Sequence, residues 1–131
     1  MDKQTLRQYQ VLEKEIDCLK DEIERLRECF SAPPIIDGMP RANAYQDRIA
    51  TLVAKIVDLD NILTEKLSEL VECRIRIEEA IGTLETADRL LLRLRYIEGE
   101  KWEEVADKMG YSWQGIHLRH SKALKKIENN G

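Results

Sequence analysis

Residues 84–127 read LETADRLLLRLRYIEGEKWEEVADKMGYSWQGIHLRHSKALKKI, and Gly99 and Gly110 cut them into three short helical stretches. Thr86 is placed to cap the first, Leu90, Leu91, Leu94 and Ile97 supply its buried face, and Gly99 suits a left-handed C-terminal position. The second runs from Trp102 to Met109. Glu103 and Glu104 sit in its first turn, where the helix dipole favours negative charge, Val105, Ala106 and Met109 face inward, and Gly110 ends it. The third opens on Ser112 as its cap and presents Ile116, His120, Ala123, Leu124 and Ile127 at helical spacing. Gly110-Tyr111-Ser112 is then a tight turn between two helices. That is the helix-turn-helix arrangement, whose second helix enters the major groove of duplex DNA while the first lies across the backbone.

Upstream, the pattern lengthens. From Tyr9 the apolar residues fall at Tyr9, Leu12, Ile16, Leu19, Ile23, Leu26 and Phe30, alternating steps of three and four. This is a heptad repeat, with β-branched Ile16 and Ile23 at one core position and Leu12, Leu19 and Leu26 at the other, a choice that favours a two-stranded parallel coiled coil. Glu15 with Lys20 and Glu22 with Arg27 are spaced to attract across such a pair. The same stripe also suits a second long helix of its own chain, so homodimer seam and intramolecular hairpin both stand. Residues 31–40, SAPPIIDGMP, hold all three prolines and read as a linker. Ala44 to Ile81 reads as one long helix, in which Leu59, Leu63 and Leu67 make a stutter and Val53, Val57, Ile62 and Val71 broaden the apolar stripe. The expected fold is all-α: residues 1–83 form a coiled-coil or helical-hairpin oligomerisation region, and residues 84–131 a three-helix DNA-binding domain.

Composition agrees with that division. Charged residues make up 35% of the 131-residue chain and aromatics 5%, which suits exposed helices and leaves little for an aromatic-walled metabolite pocket. Residues 1–88 hold 12 basic and 19 acidic side chains, whereas residues 89–131 hold 9 basic and 6 acidic, so only the last third suits a polyanion. No apolar run approaches the ~20 residues of a membrane span, and the opening MDKQTLRQYQVLEKE lacks a signal-peptide pattern, so a cytoplasmic protein with no membrane partner is expected. Cys18, Cys29 and Cys73 form no CxxC pair and are expected as reduced, packed thiols. No cofactor or metal is expected: His117 and His120 lie three apart with no Cys or acid beside them on the same helix. Glycine-rich phosphate loops, HExxH and nucleophile motifs are missing, and adjacent acids such as Glu78-Glu79 and Glu103-Glu104 diverge around a helix, so a non-enzyme is expected.

The stretch 84–127 resembles region 4 of sigma-70-type factors, above all in Leu94-Arg95-Tyr96, Glu98-Gly99, Glu103-Glu104-Val105-Ala106, Met109-Gly110-Tyr111-Ser112, Ile116 and Ala123. With its long helical first part, the chain is similar to small phage and prophage proteins carrying a region 4-like end, including ArpU-like regulators of late transcription. The resemblance implies promoter binding near a -35-type element beside RNA polymerase. Residues 1–85 resemble no promoter-melting or polymerase-binding part of a full sigma factor, so the resemblance implies an activator or accessory factor. Against the family pattern, His120 stands where Leu is usually buried, Gly115 lies in the first turn of the recognition helix, and Lys101 holds a capping position it cannot fill.

Within the third helix, residues 112–127 hold Arg119, Lys122, Lys125 and Lys126 and no acid. Trp113, Gln114 and His117, on the first turns, are the candidate base readers, with Arg119 further along: Gln pairs with adenine, Trp meets a thymine methyl or the sugar-phosphate backbone, and His donates to guanine. Lys122, Lys125 and Lys126 suit phosphates, which fix register without carrying sequence information. Trp113 also suits a simple cover over the turn, and Lys125 and Lys126 suit dipole complementation at a helix end. Two other readings stay open: a DNA-packaging adaptor of small-terminase type, and a coiled-coil protein-interaction module.

Overall fold

The computed structural model describes residues 3–31 and 42–130, all-α with five helices among them. These are α1 (Lys3–Ser31), α2 (Ala42–Ile81), α3 (Thr86–Leu92, continued by a π-helical turn Arg93–Ile97), α4 (Trp102–Met109) and α5 (Trp113–Asn130). From residue 32 onward the linker read at 31–40 lies outside the described residues. Contacts divide the chain into two compact units, residues 14–68 and residues 1–13 with 69–131.

In the unit 14–68 the heptad stripe has its partner in the same chain. Ile16 and Ile23 are buried, Leu19 and Leu26 half-buried, and Glu15 forms an ion pair with Lys66 of α2 at 3.2 Å, not with Lys20 as a parallel pair would require. On α2 the half-buried positions up to Lys66 are Ile49, Leu52, Ile56, Leu59, Asp60, Leu63 and Lys66, and apart from Asp60 they alternate steps of three and four. The expected stutter is therefore absent. Leu67 is exposed, and the half-buried position is that of Lys66, whose ammonium reaches Glu15, as a long lysine stem allows. Val53, Val57 and Ile62 stay exposed. Because Ile16 and Ile23 are covered within one chain, an intermolecular seam on the same stripe would require this hairpin to open. Ile16→Asp combined with Ile23→Asp should lower helicity and thermal stability with no change of mass in light scattering. A mass that halves would show that the stripe joins two chains.

The second unit wraps the helix-turn-helix in both neighbouring helices. Its core joins Leu6, Tyr9 and Leu12 of α1 with Cys73, Ile77 and Ile81 of α2, then Leu84, Leu91, Leu92, Tyr96, Val105, Ala106, Ile116, Ala123 and Ile127. Cys73 Sγ donates to the Thr5 carbonyl at 3.5 Å, and Arg74 Nη1 to Tyr9 Oη at 3.3 Å. Contacts thus break at 13/14 and 68/69, not at 83/84, since three short helices alone present more apolar face than they can cover. Of the cysteines only Cys73 is packed as a small hydrophobe, with Cys18 and Cys29 exposed.

Local chemistry accounts for most ends in this unit. Gly99 and Gly110 take positive φ of 70° and 72°, and Gly110 closes α4 by donating to carbonyls of its last turn. Ser112 Oγ accepts from the Gly115 N–H at 3.1 Å, the expected cap of α5. Lys101 precedes α4 with no side-chain cap. At α3 the expectation fails in two respects. The N-cap is Glu85, Thr86 being the first helical residue, its hydroxyl accepting from Arg89 Nη2 instead. Of the expected buried face, Leu91 is buried and Leu94 and Ile97 are half-buried against the core, but Leu90 is 46% exposed, and Asp88, Leu92 and Tyr96 go inward instead, the π turn adding a residue before Tyr96. Gln10 Nε2 donates at 2.8 Å to the Arg95 carbonyl in that turn. Residues 84–131 alone should therefore show little cooperative unfolding, whereas the full chain should unfold cooperatively; a sharp, chain-like melting transition in the fragment would contradict this core.

Candidate nucleic-acid interface

The orientation of α5 follows from its two faces. Ile116, His120, Ala123 and Ile127, at steps of four, three and four, are buried, which turns Gln114, Leu118, Ser121, Lys122 and Lys125 outward. Most of that outer face is polar or basic, and no carboxylate stands on α5 before Glu128. A side chain left out of the sequence reading, Leu118, sits at its centre with 59% exposure. Its signal was available: Ile116 and Leu118 are two apart, so both cannot face the same core on one helix.

Behind this face lies a buried acid. Asp88, 2% exposed, accepts from Arg119 Nε at 2.9 Å and from Lys126 Nζ at 3.2 Å. Arg119 Nη2 also reaches Glu85 Oε2 at 3.3 Å. A nearly dry carboxylate must be paired, and here two cations about two turns apart on α5 do so. The Asp88 charge, before its hydrogen bond, raises the Arg119 pKa above its usual value. These two cations are thus committed to holding α5 on α3. Between those helices opens a cleft of about 330 Å³, lined by Glu85, Tyr111, Gly115, Leu118 and Lys122 as well as the ion pairs.

The aromatic residues occupy the other flank. His117 is half-buried, its ring 4.7 Å from that of Trp102 and 4.5 Å from that of Trp113. Its Nε2 is buried with no hydrogen-bond partner among the described residues, so in this arrangement that nitrogen does not face outward. Trp113 packs on His117 yet keeps 54% of its surface exposed, which combines a turn cover with an outward edge. Arg95 lies over the Trp102 ring at 4.7 Å. Of the seven DNA-binding candidates, Trp113, Gln114, Lys122 and Lys125 are outward, Lys126 is exposed but tied to Asp88, and Arg119 and His117 are turned toward the module.

His120 fills the Leu-like position by pairing. Its Nε2 lies 2.7 Å from Tyr96 Oη, and Trp102 covers it edge-on at 4.6 Å. Burial foremost, with the nearby charges of Lys3, His117 and Arg95, lowers its pKa from 6.5 to about 4. Burial likewise raises the Tyr96 phenol. Since the unfolded chain takes up this proton near 6.5 and the folded one only near 4, the stability is full above pH 6.5 and is lost as pH falls toward 4, by at most about 3 kcal/mol. His120→Leu should flatten that acid limb in denaturation curves taken between pH 7 and 4. An unchanged limb would place its origin elsewhere.

Residues 74–127 match the family model described as Sigma-70, region 4. Over 56 residues, 43% of this chain, the sequence is 36% identical to the RNA polymerase sigma-F factor of Bacillus licheniformis, and the aligned stretch is 22% of that relative. No solved structure matches the chain. The family match starts inside α2 and takes in Ile77 and Ile81, in agreement with their place in the core. The chain thus carries a sigma region 4-like helix-turn-helix, which supports a DNA-binding regulatory role.

Proposed function

We propose that the chain is a sequence-specific transcriptional regulator of phage or prophage type, similar to ArpU-like regulators, that sets α5 into the major groove of promoter DNA. The observation that carries this reading is the outward face of α5, where Gln114, Lys122 and Lys125 stand free of partners among the described residues, on a capped helix that begins in a tight glycine turn. Gln114, the second residue of α5, reads an adenine edge; Lys122 and Lys125 meet phosphates, and Trp113 packs at the groove wall. RNA polymerase enters the proposal through the relative, which is named as one of its sigma factors.

Duplex binding by the full chain should depend on salt with a log-log slope of about -2 to -3.5, as expected for roughly two to four phosphate contacts. Lys122→Ala and Lys125→Ala should each reduce the slope by about one and weaken specific and random duplexes alike. Gln114→Ala should leave the slope unchanged and cost about 1–3 kcal/mol of sequence preference. Titrations of duplexes selected from a randomised library, at two salt concentrations, separate these effects. A chain that shows no salt-dependent binding to any duplex would sink the regulator reading.

A further inference from the structure

Leu118 has no internal task. It is exposed on the face of α5 opposite the buried line Ile116, His120, Ala123 and Ile127, at 59% the most open of the large apolar side chains described as exposed. Around it stand Gln114 one turn before, and Ser121 and Lys122 one turn after, all exposed. On its α3 side the neighbour one turn earlier is Gly115, whose missing side chain leaves a notch against the Tyr111 ring, at the edge of the cleft that Glu85 and the Asp88 ion pairs also line. A Cβ at Gly115 would stand 3.0 Å from Ser112 Oγ, so the same glycine that admits the cap also keeps the notch open. A single aliphatic group beside a notch, framed by a glutamine and a lysine on a helix with no carboxylate before Glu128, does not itself suit a phosphate, which needs charge or donors. It suits the one apolar feature of the major groove, the C5-methyl group of thymine.

We propose that Leu118 is a specificity-determining residue that reads a thymine methyl group in the notch beside Gly115, next to the base contacted by Gln114. The inference rests on the regulator reading and adds to it a base identity. Leu118 acts by burying the methyl group away from water, so its contribution is independent of salt, unlike that of Lys122 and Lys125.

The test uses the full chain and the best duplex selected from a randomised library, with each thymine replaced in turn by deoxyuridine, which removes only the methyl group. One replacement should weaken binding about fourfold, the size expected for one buried methyl-sized group. Leu118→Ala should bind the parent and the uracil duplex equally, with the salt slope of the wild type, and Leu118→Met should keep the difference. Because Leu118 is exposed, circular dichroism should show both variants folded. Equal binding of all uracil duplexes by the wild type, a selected site without thymine, or a uracil effect that persists in Leu118→Ala each overturns the inference while leaving the regulator reading intact. The first of these outcomes assigns Leu118 to a protein contact instead. Absence of any duplex binding removes both.

Discussion

The buried carboxylate of Asp88 fixes what α5 can present. Two cations a full two turns apart on α5 converge on its two oxygens, so rolling the helix by even one position would strand a charge in a dry site, at a cost of several kcal/mol. Hydrophobic packing of Ile116, Ala123 and Ile127 is tolerant of small rotations; the ion pairs are not, because Arg and carboxylate demand direction as well as distance. The outer face of Gln114, Leu118, Ser121, Lys122 and Lys125 is therefore set from behind. Tyr96 and His120 fix the opposite edge of the same helix through a 2.7 Å hydrogen bond, and burial keeps that imidazole neutral until the pH falls toward 4.

Much of this was readable in the chain. The three helices of the module, both glycine stops and the Ser112 cap follow from local chemistry, since a positive φ or a hydroxyl at the cap needs no distant partner. What could not be read depends on partners far along the sequence. Leu90-Leu91-Leu92 offers three registers for one helix face, and only the shared core, which also takes in Ile77 and Ile81 from far along the chain, selects the last two. Asp88 would ordinarily count as a surface acid; its signal was the pairing of Arg119 with Lys126, seven apart and so on one side of α5. Lys66 was passed over for Leu67 because pattern reading counts the apolar residue, although a lysine stem can fill a half-buried seam position. The heptad of α1 was plain, yet periodicity alone does not say whether the partner helix is another chain or α2.

The same division runs through the site. Gln114, Lys122 and Lys125 were legible because position on the helix decides their exposure. Arg119 and His117 were not, since a sequence shows a side chain's chemistry but not whether something inside the molecule already uses it. Arg119 is claimed by Asp88 and Glu85, and His117 by the rings of Trp102 and Trp113.

That internal claim on charge bears on how the module would work as a regulator. Of the four cations on α5, two are partly neutralised by Asp88, which leaves Lys122 and Lys125 as its cations without an ion pair among the described residues. Attachment built on so few contacts is weak at physiological salt, and its selectivity must come from the short-range terms that salt does not screen, namely hydrogen bonds to base edges and burial of apolar groups. A helix that spends half its charge on rigidity gains a fixed face in exchange for affinity. On the regulator reading, such a face serves best where a second contact, with polymerase at the promoter, adds to the binding free energy without having to supply the sequence preference.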